Sequence, residues 1–291
     1  MTIRLRPFEL AEPATLTEAI DLLSAAGGEA RIIGGGTALV PMIRMGLIKP
    51  DKLVSLHRVS AKQLRVDKGW LEIGAMVTHR ELIDANIVRT GWPLLAEASG
   101  RVASPAIRST ATIGGNLSYA ESASDSPAAM ICLEAEVQLA SKRGIHSIPV
   151  TKFFRGYYDA AIEPGEIVTA LRVPPCPPGA RTAYARFTSR SAEDKVLVGV
   201  AAQVVLDEKG RCSDARIGLG GVAPTPLRAT RAEAILKGER LNEKMIKAAA
   251  ESAAEDTDPL SDLMGSADYR RHITGIMVAR VLGSLQNGKR K

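Results

Sequence analysis

The sequence predicts an α+β protein of two domains, and three observations indicate this. The first part of the chain opens in the order α-β-α-β around a run of glycines, and further strands and helices follow. Four prolines then fall within residues 174–178, a density that neither a helix nor a central strand accepts. Beyond them come strands and then helices, the order typical of an α+β domain. At 291 residues the chain is long enough for two hydrophobic cores.

The opening unit contains the clearest local signals. Thr15 and Glu18 have the spacing of a capping box, which predicts a helix that ends at Gly27-Gly28. The elements that follow alternate in type, with a strand at residues 31–33, the run Gly34-Gly35-Gly36-Thr37, a helix from Ala38 to about Met45 and a strand at residues 53–56.

The rest of the first domain mixes a hairpin, helices and strands. Asp67-Lys68-Gly69 is typical of the turn between two strands of a hairpin. Pro127 is placed as in the first turn of an apolar helix. We predict strands at residues 64–66, 70–73, 137–140 and 167–173, helices at 78–85, 93–99 and 128–133, and a second glycine loop at Thr112-Ile113-Gly114-Gly115-Asn116.

The proline-rich segment, Pro174–Gly179, predicts the boundary between a first domain of residues 1–175 and a second of residues 176–291. The second domain is expected to place its strands before its helices. These are strands at residues 183–188, 196–206 and 215–219 and helices at 232–236, 243–254 and 269–285.

Composition argues against several classes of protein. The net charge of +6 is modest and its basic residues are scattered without interleaved aromatics, so no nucleic-acid groove is expected. No run of about 18 apolar residues occurs, so no membrane span is expected. Cys132, Cys176 and Cys212 are far apart, which argues against an iron–sulfur or zinc site and against a disulfide framework. The beginning of the sequence lacks the apolar core of a secretory signal, and a reducing cytoplasm is the expected location.

The first glycine segment, Ile33–Leu39, suits a phosphate group. A strand that leads through glycines into a helix can point several backbone N–H groups at an anion, and the helix N-terminus adds positive potential. Leu39 stands where the dinucleotide fingerprint needs its third glycine, so a Rossmann motif is excluded. The Gly-Lys-[Ser/Thr] of a P-loop is also absent. A structural turn would explain this segment equally well.

The second glycine segment, Thr112–Asn116, offers hydroxyl and amide donors and could also bind an anion, or form a tight turn. Two such segments would fit a dinucleotide whose diphosphate is held from two sides. Asp125 follows closely, and its carboxylate could accept hydrogen bonds from a ribose. The alternative for Asp125 is a role as the N-cap of a helix.

Together these motifs resemble a known family. Ile33-Gly34-Gly35-Gly36-Thr37-Ala38-Leu39-Val40-Pro41-Met42, Thr112-Ile113-Gly114-Gly115-Asn116-Leu117 and Ser124-Asp125-Ser126-Pro127 look like the FAD-binding medium subunits of the molybdenum hydroxylase family. This is the family of xanthine dehydrogenase and aerobic carbon monoxide dehydrogenase. The resemblance extends over essentially the whole chain.

The resemblance implies a fold and a set of site residues. The first domain would be a two-lobed FAD-binding domain of the vanillyl-alcohol-oxidase (PCMH) type, with lobes of about residues 1–57 and 58–175. A smaller α+β C-terminal flavoprotein domain would follow. The residues expected to bind FAD are Ile33, Gly34, Gly35, Gly36, Thr37, Ala38 and Leu39 at the diphosphate, Thr112, Gly115 and Asn116 as a second phosphate clamp, Ser124 and Asp125 at the ribose, Leu171 near the adenine, and Arg186 near the flavin pyrimidine.

Lys195 is a second candidate for a position near the flavin ring, and a solvent-facing lysine is its alternative. The resemblance implies neither a catalytic acid, base or nucleophile for the substrate nor a metal ligand in this chain. His57, His79, His146 and His272 are dispersed without a metal-ligand or triad spacing.

The resemblance also implies partners. A large subunit would carry the molybdenum cofactor and act on the substrate, and a small subunit would carry two [2Fe-2S] clusters. Electrons would pass from the clusters to this FAD and on to an external acceptor, in a complex expected to be a dimer of heterotrimers. Two other functions stay open at this point, a self-contained FAD-dependent oxidoreductase with its own small-molecule substrate, and a non-enzymatic nucleotide-binding module.

Overall fold

A computed structural model of the chain describes residues 6–286 and has the predicted α+β architecture. Its strands are β1 (Glu9–Ala11), β2 (Ala30–Ile33), β3 (Lys52–Ser55), β4 (Leu64–Asp67), β5 (Trp70–Gly74), β6 (Glu136–Ser141), β7 (Gly144–Pro149), β8 (Phe154–Gly156), β9 (Asp159–Ala160), β10 (Ile167–Val173), β11 (Arg181–Phe187), β12 (Val198–Leu206), β13 (Cys212–Gly220) and β14 (Leu227–Arg228). Its helices are α1 (Leu16–Ala25), α2 (Leu39–Arg44), α3 (His79–Asp84), α4 (Asn86–Gly91), α5 (Pro93–Arg101), α6 (Pro105–Arg108), α7 (Ile113–Tyr119), α8 (Asp125–Cys132), α9 (Thr230–Leu236), α10 (Glu243–Glu255) and α11 (Ala267–Gln286).

The first lobe is a small parallel sheet in the order β1-β3-β2, covered by α1. Thr15 caps α1 as predicted, since its hydroxyl accepts a hydrogen bond from the N–H of Glu18 at 3.2 Å. The Glu18 carboxylate, however, accepts from the N–H of Ala14 rather than from that of Thr15. The predicted capping box is therefore only half formed, and the acidic side chain satisfies the residue before the cap.

The second lobe is an antiparallel sheet in the order β4-β5-β10-β6-β7. Helices α5 and α8 and the segments around them enclose its core. The centre of that core includes Leu71, Ile73, Leu139 and Leu171, whose side chains are inaccessible to solvent. This sheet and the small parallel sheet form the two lobes that the sequence predicts.

The second glycine segment is not a loop, so that prediction is wrong. It forms the first turn of α7, and the Thr112 hydroxyl caps this helix by accepting from the N–H of Gly115 at 3.2 Å. The glycine at position 114 is needed for packing, because a Cβ there would lie 2.5 Å from the Cβ of Ala75. Glycines that indicate a loop in the sequence thus let a helix lie close to another segment of the same chain.

The C-terminal region is a four-stranded antiparallel sheet in the order β11-β12-β13-β14. Side chains alternate between the two faces of this sheet along each strand, and both faces are covered. On one face Val200 and Ala202 join the core formed with α10 and α11. On the other face Ala201 belongs to the core of the second lobe, and α8 packs directly against β12 and β13.

Between β10 and β11 the chain runs through the prolines without regular structure. The indole N–H of Trp92 donates to the carbonyl oxygen of Pro174 at 2.7 Å and fixes this connection to the second lobe. The division of the chain at residue 175, and of the lobes at residue 57, stays a prediction. Within residues 6–286, no helix has the length and apolar character that crossing a membrane requires.

Candidate functional site

A cavity of about 900 Å³ lies between the two lobes. That volume is within the usual range for small-molecule and cofactor sites. The first lobe contributes the first glycine segment, and the second lobe contributes the start of α7 and the start of β10. The cavity therefore lies where the sequence analysis expects a dinucleotide.

Within the first glycine segment, the backbone N–H groups of residues 34–38 have no acceptor among the described residues. The segment follows β2, and Gly36 takes a φ of 70°, in the region that favours glycine. Helix α2 then begins at Leu39 without a side-chain cap at Ala38. These unpaired donors face a cavity at a helix N-terminus, which is the arrangement that binds phosphate oxygens.

Gly35 has a further role that the sequence does not reveal. A Cβ at this position would overlap the carbonyl oxygen of Thr110, which belongs to the second lobe. A Cβ at Gly34 would lie 2.9 Å from the Thr112 hydroxyl. The two glycines thus allow the lobes to approach each other along the wall of the cavity.

The second glycine segment uses its backbone donors from residue 113 to residue 116 within the protein. The N–H groups of Ile113 and Gly114 donate to the carbonyl oxygens of Val77 and Ala75, both at 2.9 Å, and Gly115 donates to Thr112. What this segment can still offer a ligand is the Thr112 hydroxyl, the Asn116 amide and the backbone N–H of Thr112, which has no acceptor among the described residues. The Asn116 amide also donates to the Ser124 hydroxyl at 2.9 Å.

Most of the predicted site residues come together. Ten line the cavity, namely Ile33, Gly34, Gly35, Gly36, Thr37, Ala38, Leu39, Thr112, Gly115 and Asn116. Ser124 lies one contact behind them and positions the Asn116 side chain. For these residues the geometry is compatible with the roles that the resemblance implies.

Asp125 and Arg186 are placed differently from the expectation. Neither lines the cavity, and their buried side chains form an ion pair at 2.9 Å. The Asp125 carboxylate also accepts from the hydroxyl of Tyr184 at 2.7 Å, and the Arg186 guanidinium donates to the backbone carbonyls of Arg101 and Asp194. Their charges hold the C-terminal sheet against the second lobe, outside the lining of the cavity, and their expected contacts with a ribose and a flavin carbonyl stay predictions. Asp125 is not an N-cap either, since Ser124 occupies that position of α8.

Leu171 also lies outside the cavity. Its side chain is inaccessible to solvent in the core of the second lobe, where it pairs across strands with Ile73 and Val137. Ile167 and Val168, at the start of the same strand, line the cavity instead. Only the beginning of β10 therefore lines the cavity, and the role of Leu171 near the adenine stays a prediction.

The cavity is also lined by two tyrosines that were not among the predicted site residues. The ring centroids of Tyr119 and Tyr158 are 5.2 Å apart. The Tyr158 hydroxyl donates to the carboxylate of Glu121 at 2.8 Å, and burial together with this hydrogen bond raises the pKa of Tyr158. The ammonium group of Lys195 pairs with the same Glu121 carboxylate. No signal in the sequence joins these residues, because they lie on three separate segments.

Much of the remaining lining is apolar, with aliphatic and glycine residues that include Leu23, Gly28, Ile32, Ile162 and Ile167. Apolar surface, unpaired backbone amides and two aromatic rings around one cavity suit a ligand that combines apolar parts with an anionic group. Within residues 6–286, no group of three or more His, Cys, Asp or Glu side chains is placed to hold a metal ion.

Comparison with known proteins identifies the family of the chain. Residues 6–176 match the family described as the FAD binding domain in molybdopterin dehydrogenase, and residues 183–285 match the CO dehydrogenase flavoprotein C-terminal domain. The carbon monoxide dehydrogenase medium chain of Hydrogenophaga pseudoflava is 34% identical over 279 residues, which are 95% of this chain and 96% of the relative. The 6-hydroxypseudooxynicotine dehydrogenase complex subunit alpha of Paenarthrobacter nicotinovorans is also 34% identical, over 94% of this chain and 93% of the relative.

Solved structures agree with the sequence comparison. A chain of carbon monoxide dehydrogenase from Hydrogenophaga pseudoflava superposes with a TM-score of 0.94 at 34% identity, covering 97% of this chain and 98% of the other. A chain of quinoline 2-oxidoreductase from Pseudomonas putida 86 gives a TM-score of 0.93 at 33% identity, with 98% and 99% covered. The fold, the cavity between the lobes and the full-length matches together lead to one conclusion. The chain belongs to the family of FAD-binding subunits of molybdenum-containing dehydrogenases.

Proposed function

We propose that this chain is the FAD-carrying electron-transfer subunit of a heterotrimeric molybdenum hydroxylase. It takes electrons from the [2Fe-2S] clusters of a small partner subunit and passes them to an external acceptor. The observation that carries the proposal is the row of unpaired N–H groups at residues 34–38, whose residues line a cavity of about 900 Å³ between the lobes. Full-length similarity to a medium chain and to a complex subunit supports the placement in an assembly.

The residues of this chain would bind and orient the cofactor. The unpaired amides of the first glycine segment would donate to the diphosphate oxygens, with the N-terminus of α2 behind them. The Thr37 hydroxyl and the side chains of Thr112 and Asn116 would add donors from both lobes. Gly115 also lines the cavity. The apolar side chains of Ile32 and Ile167 would exclude water from one of the two ring systems of FAD.

When bound, FAD supplies a centre that accepts and releases electrons either singly or in pairs. The protein's task is then to hold the cofactor between a donor and an acceptor. In the proposed assembly a large subunit carries the molybdenum cofactor and the substrate pocket, and the complex is a dimer of heterotrimers in the cytoplasm.

The test is purification of the complex from its natural host under native conditions, with a visible absorption spectrum and a gel of the co-purifying chains. We expect flavin bands, iron–sulfur absorbance and two companion chains, with one FAD released per copy of this chain. A chain that purifies alone with FAD and oxidises a small substrate would instead favour a self-contained flavoenzyme. A chain that cannot be loaded with FAD would contradict the proposal altogether.

A further inference from the structure

A buried carboxylate lies directly behind Tyr158, which lines the cavity. Glu121 is 8% exposed, and one of its oxygens accepts from the backbone N–H of Ala123 at 3.2 Å. Its other oxygen both accepts from the Tyr158 hydroxyl at 2.8 Å and pairs with the Lys195 ammonium. A buried carboxylate with this many partners is held in one orientation, and removal of its charge would leave the donors unsatisfied.

Tyr158, which receives this support, has an unusual backbone. Its φ of 55° lies in the left-handed region, which is rare for a bulky side chain. Its N–H donates to the carbonyl oxygen of Ala120, directly after α7, at 3.1 Å. Such conformations persist only where surrounding contacts fix them, and they concentrate at functional sites. The contacts that fix Tyr158 come from Ala120 and Glu121, next to the helix that begins with the second glycine segment.

The Glu121 carboxylate also joins two parts of the chain that are distant in sequence. Glu121 and Tyr158 belong to the second lobe, whereas Lys195 lies between β11 and β12 of the C-terminal region. The Lys195 ammonium is 5.7 Å from the centre of the Tyr158 ring, a distance at which a cation is attracted to the aromatic face. Next to it, the N–H of Val196 donates to the carbonyl oxygen of Ala123 at 3.2 Å. The C-terminal region is thereby attached beside the tyrosine that lines the cavity.

We propose that Glu121 is a positioning residue of the cofactor site: with Lys195 it forms a clasp that holds Tyr158 in the lining of the cavity and thereby slows release of the cofactor. This inference rests on the proposed function, since it requires that the cavity binds FAD. Through Lys195 the C-terminal region takes part in the clasp, so this region helps to retain a cofactor bound between the lobes.

The experiment measures FAD release from the full-length chain loaded with FAD, followed by the fluorescence of the freed flavin after dilution. Glu121→Gln and Lys195→Met should each release FAD about fivefold faster or more, as expected for loss of one part-buried ion pair. Lys195→Arg keeps the charge and should release FAD at the wild-type rate. Added salt should speed release from the wild type more than from Lys195→Met.

Glu134→Gln is the matched control. Glu134 pairs with Arg216 and Arg228 of the C-terminal region, away from the cavity, so its loss removes a comparable contact between the same parts of the chain. We expect this variant to release FAD at the wild-type rate. Wild-type release from both Glu121→Gln and Lys195→Met would overturn the clasp, as would equal acceleration by Glu134→Gln. Failure of the wild-type chain to bind FAD would overturn the proposed function itself, so the two failures are distinguishable.

Discussion

The two glycine segments are similar in composition but use their glycines differently. In the first, the amides of residues 34–38 are unpaired and face the cavity. In the second, the amides of Ile113, Gly114 and Gly115 are bonded within the protein, and glycine at 114 allows α7 to pack on Ala75. The first segment is built to donate hydrogen bonds to a ligand, and the second to hold the wall of the cavity in place.

The difference shows what a glycine motif conveys. Glycine permits close approach, but the sequence does not say whether the approaching group is a phosphate or another part of the chain. Gly35 combines both cases, because its amide is unpaired while its missing Cβ makes room for the carbonyl oxygen of Thr110. Substitutions can separate these two uses.

The largest effect is expected from Gly35→Ala. The new Cβ would overlap the backbone of Thr110, which cannot move as a flexible side chain does, so we expect the free energy of unfolding to fall by about 3 kcal/mol. FAD retention should be lost at the same time, because the two lobes that enclose the cavity would move apart. Chemical denaturation and flavin content measure the two effects.

Gly100→Ala is the control for this substitution. Gly100 lies in α5, and a Cβ there would meet no atom within 4 Å, so stability should be unchanged or slightly increased. If Gly35→Ala retained both wild-type stability and FAD, the close approach of the first glycine segment to the second lobe would be disproved.

The next effect concerns pH and the support of the second glycine segment. His79 is fully buried at the start of α3, and its backbone N–H donates to the carbonyl oxygen of Ala111 at 3.1 Å. Burial, and secondarily the charge of Arg108, lower the pKa of His79 to about 4 from 6.5. The folded chain therefore keeps the imidazole neutral while the unfolded chain protonates it below pH 6.5. The stabilising contribution is complete above pH 6.5 and is lost as pH falls towards 4.

The size of this loss is about 3 kcal/mol between pH 6.5 and 4, at roughly 1.4 kcal/mol per pH unit. The side-chain nitrogens of His79 have no hydrogen-bond partner, so His79→Leu removes the titration without breaking a bond. The unfolding free energy of the wild type, relative to that of the variant, should therefore fall by about 3 kcal/mol between pH 6.5 and 4, since other groups titrate alike in both. A constant difference would mean that His79 does not titrate there.

The smallest effects come from a pair of threonines, one in each segment. Thr112→Ala removes the cap of α7 and should lower the free energy of unfolding by about 1 kcal/mol, with Thr112→Ser restoring it.

Thr37→Ala removes a hydroxyl that makes no hydrogen bond to the described residues, so stability should not change. FAD affinity should fall about fivefold, the typical value of one hydrogen bond. Thermal melts measure the stability of both variants, and FAD titration measures their affinity for the cofactor. A loss of stability in Thr37→Ala would contradict the difference between the two glycine segments.

The regular elements of the fold were largely predictable from the sequence. Strand β10 has the predicted bounds of residues 167–173, because five of its seven residues are apolar and buried, on both faces of the sheet. Strand β7 was missed, since most of its residues are exposed at a sheet edge and show no apolar alternation. Helix α7 was missed because its stability comes from the Thr112 cap and from packing on Ala75, which no helical propensity reports.

The site was predictable where the ligand contacts lie on one continuous segment. Residues 33–39 all line the cavity because a strand, a turn and a helix start follow one another there. The predictions for Asp125 and Arg186 did not anticipate that two charges distant in sequence would neutralise each other in the interior. Glu121, Tyr158 and Lys195 could not be grouped, since three chain segments meet only in the folded state.

Helix α8 has a consequence for how the chain is made. All of its residues are buried, and the glycine at position 218 of β13 leaves room for the carbonyl oxygen of Ala128, where a Cβ would overlap it. The C-terminal sheet thus has one face that only an earlier part of the chain can cover. During synthesis this sheet must fold onto a helix that has already left the ribosome. A chain cleaved among the prolines of residues 174–178 should accordingly persist as two associated fragments, each of which completes the core of the other.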